Sequence, residues 1–105
     1  MHAIIHIVIR SFADEATEDL FNGRNTSAAR RACPIELWSI VRRKLDQLDS
    51  VVLLSELRVP PGNNLEVLHG NRKGQLSIRI NNRYRICFRW LQNEPDLVEV
   101  VDYHQ

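Results

Sequence analysis

The sequence predicts an α+β fold in which two or three N-terminal helices pack on one face of a small, mainly antiparallel sheet. A segment with helical spacing of apolar residues lies in the first half of the chain. Four strand-like runs follow one another in the second half, and their connections are too short for crossover helices. Strands joined in this way pair as hairpins, which leaves the helices to cover one sheet face.

The chain begins with a predicted strand and a short predicted helix. Residues Ile4–Phe12 are rich in β-branched side chains, which favour strands. Asp14–Asn22 carries acidic residues in its first turn and is followed by Gly23, as expected for a helix that ends at a glycine. The polar segment Arg24–Cys33 is predicted to be a loop or a frayed turn.

The clearest predicted helix follows Pro34, a residue suited to the first helical position. Its apolar residues recur at three- and four-residue steps, so that one stripe faces a core. They are Trp38, Val41, Leu45 and Leu48. The other face carries Arg42, Arg43 and Lys44, either as ordinary solvent-facing cations or as part of a surface for nucleic acid or a partner. A helical turn is predicted over Ser55–Arg58, and Pro60–Gly62 should exclude regular structure.

The four predicted strands make up the rest of the chain. They cover Leu65–His69, Gln75–Ile80, Tyr84–Leu91 and Leu97–Tyr103. Turn-forming residues separate them at Asn71–Gly74, Asn81–Asn82 and Asn93–Asp96. With 105 residues and no internal repeat, the chain is expected to form one domain over residues 1–105.

Charge is unevenly distributed along the chain, although the formal net charge is only +1. Between Glu56 and Trp90 the basic residues far outnumber the acidic ones. Between Leu91 and Gln105 there are four acidic residues and no Lys or Arg. The basic stretch fits a surface that faces a polyanion, and the alternative is a solvated strand face rich in arginine.

Several classes of protein are disfavoured by the sequence. The two cysteines, Cys33 and Cys87, are too few and too far apart for a metal site or a disulfide scaffold, so both are expected to be reduced thiols in a cytoplasmic protein. The apolar start lacks the features of an export signal and is too short to span a membrane. No metal, other cofactor or membrane partner is expected.

The end of the last predicted strand carries a first group of candidate catalytic residues, Asp102, Tyr103 and His104. Cutting RNA without a metal needs groups that accept and donate protons, and an imidazole can do either near neutrality. Tyr103 could stack on a base, or it could belong to the core. Strand alternation points Asp102 and His104 to one face and Tyr103 to the other. A site that uses all three therefore needs a bent or frayed strand end.

Arginines around the predicted Asn81–Asn82 turn form a second group, because a guanidinium matches a phosphate and stays charged. These are Arg79, Arg83 and Arg85. Arg85 is preferred, since it is expected on a strand face that the end near Tyr103 can reach. A third group lies between Leu68 and Gly74, which is not a Walker loop because its glycine spacing differs. Here Arg72 and Lys73 should face solvent or RNA, and His69 is either a second proton-transfer group or only a strand residue.

Five blocks of the sequence together resemble the HigB-like proteic killer toxins of the RelE superfamily. They are Arg58–Glu66, Leu68 with Gly70–Arg72 and Gly74, Ser77–Asn81, Tyr84–Phe88 and Val101–His104. The resemblance runs from about Ile9 to His104. Residues 1–8 precede the usual start, either because the first strand is longer or because the start codon was assigned upstream.

The resemblance implies a type II toxin that enters the ribosomal A site and cleaves messenger RNA there. It implies a HigA-like helix-turn-helix antitoxin as partner, and contact with operator DNA only through the antitoxin complex. The family's active site then falls on Arg85, Asp102, Tyr103 and His104. Some members have a histidine and a lysine where this chain has Glu66 and His69, so the charge there is altered.

The roles of His69 and Glu66, and two alternative functions, remain open at this point. His69 either replaces the lysine of those members or pairs with His104 as acid and base, and Glu66 either acts as a base or supports the sheet. One alternative function is a translation inhibitor that blocks the A site without cutting. Another is a weak or degenerate toxin that acts mainly as an antitoxin-bound corepressor.

Overall fold

The sheet has four strands in the order β1-β2-β3-β4, each antiparallel to its neighbour. They are β1 Glu66–Val67, β2 Leu76–Arg79, β3 Tyr84–Leu91 and β4 Glu94–Asp102. These elements come from a computed structural model that describes residues 8–103 of the chain. Each strand pairs with the next in sequence, so the predicted antiparallel hairpins are confirmed.

Three α-helices precede the sheet: α1 Glu15–Phe21, α2 Ser27–Ala32 and α3 Trp38–Leu48. Helix α1 confirms the predicted helix, because the Asp14 side chain accepts a hydrogen bond from the Thr17 N–H at 2.8 Å and Gly23 follows with φ of 73°. In α3 the predicted stripe is also confirmed, since Val41, Leu45 and Leu48 are fully buried and Trp38 packs partly buried against the core. The prediction that Pro34 is the first helical residue is wrong, because Pro34 has an extended ψ of 143° and the α-helix begins at Trp38.

Helix α2 corrects the prediction of a loop over Arg24–Cys33. Thr26 caps the helix by accepting a hydrogen bond from the Ala29 N–H, and its hydroxyl donates to Asp19 in α1. Ala29 is fully buried. A helix of six residues is marginal by itself, so the cap and the burial of Ala29 explain why this polar segment is helical.

Four short 3₁₀ helices complete the described elements: Ile35–Leu37, Leu54–Arg58, Pro61–Asn63 and Gly70–Arg72. The second confirms the predicted turn over Ser55–Arg58. The third corrects the prediction that Pro60–Gly62 excludes regular structure. Proline has no N–H, but the first residue of a 3₁₀ turn does not need one, because its N–H has no partner within the turn. Pro61 therefore fits the first position.

Strand β1 is shorter than the predicted Leu65–His69. Only Glu66 and Val67 pair with β2, and both are exposed at the sheet edge. Leu68 is buried, and its N–H donates to the Gln75 carbonyl at 2.9 Å. Regular strand pairing therefore ends after two residues, and this one backbone bond continues it at Leu68.

The turn between β3 and β4 lies at Gln92–Asn93, and the prediction of a turn over Asn93–Asp96 is wrong. Both turn residues have positive φ, 52° and 63°, as a two-residue hairpin turn requires. Glu94 and Pro95 already pair with β3. Proline is tolerated near a strand end, so Pro95 does not mark the turn.

The described part of the predicted first strand, residues 8–12, runs beside β4 but is not a regular strand; residues 4–7 lie outside the described residues. Phe12 forms a parallel bridge with Val98. The pairing occurs beside a β-bulge, where Leu97 has φ of 49° and donates its N–H to the Ser11 hydroxyl. Bulges interrupt a ladder and free backbone groups, which here bond to the N-terminal segment.

The core lies between the helices and one face of the sheet. Helical residues Leu20, Ala29, Val41, Leu45 and Leu48 pack in one cluster with strand residues Ile78, Ile86, Phe88, Val98 and Val100. The α+β fold class and the packing of helices on one sheet face are confirmed. The longest described helix has eleven residues, and no helix within residues 8–103 is long and apolar enough to cross a membrane.

A buried carboxylate joins the N-terminal segment to the sheet and should make folding sensitive to acid. Asp96 accepts hydrogen bonds from Arg89 and from the Ser11 hydroxyl, both at 2.7 Å, and these bonds lower its pKa from the ordinary 3.8. The carboxylate therefore stabilises the fold above about pH 4, and this contribution is lost as the pH falls through the lowered value.

Asp96→Asn is therefore expected to reduce the free energy of unfolding at pH 6, with a difference from wild type that shrinks as the pH approaches 3. Urea denaturation between pH 3 and pH 7 measures it. Asp46→Asn, at an exposed position of α3, serves as the control. A difference between Asp96→Asn and wild type that stays constant over this range would exclude the titration.

Candidate active site

The sheet face opposite the helices carries polar side chains in register across the strands. Arg79 in β2 is paired with Arg85 in β3, which is paired with Val101 in β4. One row along, Ser77 is paired with Cys87 and Cys87 with Glu99. We call this the open face. Its arginines are positioned by strand alternation, as the sequence predicted for Arg85.

Arg85 is the central side chain of the open face and is only 8% exposed. Its Nε donates to the Ser77 hydroxyl and its Nη2 to the Asn64 carbonyl, both at 2.7 Å. A Glu66 carboxylate oxygen lies 3.9 Å from Nη2. A buried charge is costly unless it is hydrogen-bonded, and these acceptors fix the direction of the guanidinium.

Asn64 can supply that carbonyl because of its backbone conformation. It follows the Pro61–Asn63 turn with φ of 45° and ψ of 59°, in the left-handed region that asparagine tolerates. Its side-chain amide donates to Glu66 at 3.1 Å. The preceding residue, Asn63, is fully buried and ties the turn to α3. The sequence did not indicate Ser77 or Asn64 as functional residues, and it left two alternative roles for Glu66. Their approach to Arg85 depends on tertiary packing, which local sequence does not show.

Arg83 clamps the end of β4 to β3. Its Nε and Nη2 donate to the two carboxylate oxygens of Asp102 at 2.9 and 2.7 Å. This bidentate bond raises the pKa of Arg83. Its backbone carbonyl accepts the Tyr103 N–H at 2.6 Å, and its guanidinium lies 5.5 Å from the centre of the Tyr84 ring.

The register of this clamp separates the predicted terminal residues. Asp102 is paired with Tyr84, whereas Tyr103 lies opposite Arg83. Alternation therefore places Tyr103 on the side of Val101 and Arg85, and Asp102 on the other side. Tyr103 is half-buried. His104 lies outside the described residues.

The loop before β2 holds the remaining predicted residues. Arg72 was expected to face solvent, but its Nη1 donates to Gln75 at 3.0 Å and to Glu99 at 3.2 Å, so it lies across the open face. Lys73 is exposed, as predicted. His69 is exposed and precedes the Gly70–Arg72 turn, outside the strand to which it was assigned.

The cysteines are both free and buried, as predicted for the thiols. Burial raises the pKa of Cys33 to about 11, and it also raises the pKa of Cys87. Neither thiol is therefore activated as a nucleophile. Among residues 8–103, no group of three or more His, Cys, Asp or Glu side chains is placed to hold a metal ion.

Lys44 in α3 and Arg79 at the end of β2 interact electrostatically. Arg79 donates to the Asn82 side chain, and Lys44, which is half-buried in α3, donates to the Asn63 side chain. Burial is the main cause that lowers the pKa of Lys44, and the charges of Arg43 and Arg79 lower it further. Arg42 lies elsewhere, against Gly23 at the end of α1. The sequence left the role of these helix cations open, and only packing distinguishes them.

Comparison with known proteins identifies the family. Residues 10–104 match the family described as RelE-like toxin of type II toxin-antitoxin system HigB. A protein of Vibrio cholerae serotype O1 named Toxin HigB-1 is 46% identical over 61 residues, which are 58% of this chain and 64% of that protein. An uncharacterized protein of Haemophilus influenzae is 36% identical over 61 residues, 58% of this chain and 60% of its own length.

The matched part of the chain spans about three fifths of the length of these curated relatives. The family match is broader, because it extends from the segment beside β4 to the end of the sheet and includes all the elements around Arg85. The predicted resemblance is confirmed: the chain belongs to the family of HigB-like, RelE-type toxins of type II toxin-antitoxin systems.

Proposed function

We propose that this protein is a metal-independent endoribonuclease that cleaves messenger RNA in the ribosomal A site. The observation that best supports the proposal is the fixed guanidinium of Arg85 on the open face. Its Nε and Nη2 are held by Ser77 and Asn64, so the cation is oriented before a substrate arrives. Preorganised charge of this kind stabilises charge that develops in a transition state.

The proposed reaction is attack of a ribose 2′-oxygen on the adjacent phosphorus. The 2′-hydroxyl gives its proton to a base, a new bond forms between the 2′-oxygen and phosphorus, and the bond from phosphorus to the 5′-oxygen breaks. The 5′-oxygen takes a proton as it leaves. The products are a 2′,3′-cyclic phosphate and a 5′-hydroxyl, so no atoms from water or a cofactor are needed.

Each candidate residue has a role in this proposal. Arg85 stabilises the charge on the phosphorane, and His104, next along the chain from Tyr103, transfers a proton. Tyr103 stacks on a base from the Arg85 side of the sheet. Asp102, through its bidentate bond to Arg83, holds the strand end in register. His69 is the second candidate for proton transfer, and Arg72, Lys73, Arg79 and Arg83 contact the RNA backbone.

The partners in this proposal are those that the resemblance to the family implies. A HigA-like helix-turn-helix antitoxin binds and silences the toxin, and operator DNA is contacted only through that complex. The ribosome orients the messenger RNA, so cleavage requires translation. The isolated protein is accordingly expected to leave naked RNA uncut.

Mapping of new transcript 5′ ends in cells tests the proposal. Induced wild-type protein is expected to stop growth and to produce in-frame cuts in translated transcripts, and His104→Ala and Arg85→Ala should abolish the cuts. Transcripts whose start codon has been removed provide the matched control and should stay intact. Growth arrest without new 5′ ends would instead identify an inhibitor that blocks the A site without cutting.

A further inference from the structure

Most arginines of the open face and its margins already have a carboxylate partner within the protein. The ion pairs are Arg72 with Glu99, Arg83 with Asp102, Arg85 with Glu66 and Arg89 with Asp96. In contrast, Arg43, Lys44 and Arg79 form no ion pair with any carboxylate of residues 8–103. The charges of Arg43 and Arg79 both act on Lys44, so positive charge is in excess around the Lys44 ammonium.

Lys44 is held in a fixed position within this excess. Its ammonium donates to the Oδ1 of Asn63, a side chain with no exposed surface. The Asn63 amide donates in turn to Gln47 and to the carbonyls of Leu57 and Val59. An ammonium has three donors, so the bond to Asn63 anchors the group and leaves capacity for an external acceptor.

The charges of Arg43 and Arg79 act unfavourably on the Lys44 ammonium. Burial and the charges of Arg43 and Arg79 disfavour the protonated form of Lys44, so its pKa lies below the ordinary value. Like charges gathered without a counterion are destabilising, and a bound anion relieves the repulsion. The site is also continuous with Arg85, because Arg79 is the register partner of Arg85 across β2 and β3.

We propose that Lys44, together with Arg43 and Arg79, binds a backbone phosphate of the RNA strand next to the phosphate that contacts Arg85. This inference rests on the proposed function. It extends the RNA-binding surface from the sheet onto α3 and gives Lys44 a role in substrate binding. A phosphodiester is favoured over an acidic peptide because the site adjoins the guanidinium proposed to contact the reacting phosphate.

Lysine acylation provides a direct test without a substitution, because the chain has only two lysines, Lys44 and Lys73. The probe is a six-nucleotide 2′-O-methyl RNA, which lacks the attacking hydroxyl and cannot be cut. Fluorescence anisotropy measures its binding at low salt, and mass spectrometry measures acetylation of each lysine with and without it. Bound RNA is expected to slow acetylation of Lys44 at least several-fold.

Substitutions then separate charge from hydrogen bonding. Lys44→Gln keeps a donor for Asn63 but removes the charge, and it should weaken binding of the probe roughly tenfold. The slope of log Kd against log salt concentration should fall by about 0.7, the value for one phosphate contact to a single strand. Lys44→Arg should restore both. The control Arg31→Gln removes an exposed charge on α2 and should cause a smaller change.

The outcomes distinguish this site from the proposed cleavage. Unslowed acetylation of Lys44 in the presence of bound RNA would overturn the Lys44 site, as would the absence of any RNA binding at low salt. Protection by inorganic phosphate but not by RNA would also overturn it. None of these results bears on the cuts mapped in cells, which test cleavage separately.

Discussion

Arg85→Ala is expected to slow cleavage of messenger RNA on programmed ribosomes by about 10²- to 10³-fold, the loss typical when one preorganised donor to a developing oxyanion is removed. Arg85→Lys should recover little of this rate. A lysine keeps the charge, but it lacks the planar fork that reaches the Ser77 hydroxyl and the Asn64 carbonyl together. Single-turnover cleavage with saturating ribosome complexes measures the effect.

Ser77→Ala keeps the Arg85 guanidinium but removes one group that orients it, so it measures the contribution of that orientation to the cleavage rate. Ser77 is fully buried and bonds directly to Arg85, so its loss should lower the maximal rate about tenfold, the value of one hydrogen bond to a charged group. The concentration of ribosome complexes needed for half-maximal rate should change little. Ser77→Ala would then act as a positioning variant.

The control for Arg85→Ala is Arg31→Ala. Arg31 is an exposed residue of α2 and is distant from β3 in the sequence. This control variant should cleave at nearly the wild-type rate. Arg85→Ala also leaves buried acceptors without a donor, which costs about 1–3 kcal/mol of stability. Thermal unfolding must therefore show that each variant is folded at the assay temperature. A folded Arg85→Ala protein with wild-type cleavage would exclude Arg85 from the chemistry.

Asn63→Ala is expected to lower the free energy of unfolding by about 3 kcal/mol, because several buried groups lose their hydrogen-bond partner at once. The Asn63 side chain bonds to Lys44, Gln47 and two backbone carbonyls. It thereby joins α3 to the Pro61–Asn63 turn, which presents the Asn64 carbonyl to Arg85. Urea denaturation measures the loss, and cleavage should fall as well in the folded fraction.

Asn71→Ala is the matched control for this prediction. Asn71 is exposed in the Gly70–Arg72 turn, so its replacement should change the free energy of unfolding by no more than about 0.5 kcal/mol. Asn63→Asp also tests the network, since it replaces the amide donor with an acceptor that faces two carbonyls. Equal urea midpoints for Asn63→Ala and Asn71→Ala would contradict the proposed network.

Local sequence signals predicted much of the fold, because those signals act over a few residues. The Asp14 cap and Gly23 delimit α1, and the stripe through Val41, Leu45 and Leu48 defines the buried side of α3. Strand β3 was predicted with its observed bounds, Tyr84–Leu91, since a run with three aromatic residues between turn-forming segments favours a strand. Helix α2 was missed because its cap bonds to α1 and its stability depends on tertiary burial.

The candidate site, like the fold, was predicted only in part from local sequence. The sequence by itself determined the α+β class and the family, because hydrophobic periodicity and the ordered sequence blocks suffice for these. Strand alternation also made Arg85 a predicted site residue, and that role stays a prediction. Only the tertiary structure decided which groups hold Arg85, that Arg83 engages Asp102, and that Asn63 anchors Lys44. These contacts join positions up to 21 residues apart, from Asn64 to Arg85. Their geometry comes from packing of α3, the Pro61–Asn63 turn and the sheet, and no local pattern encodes it.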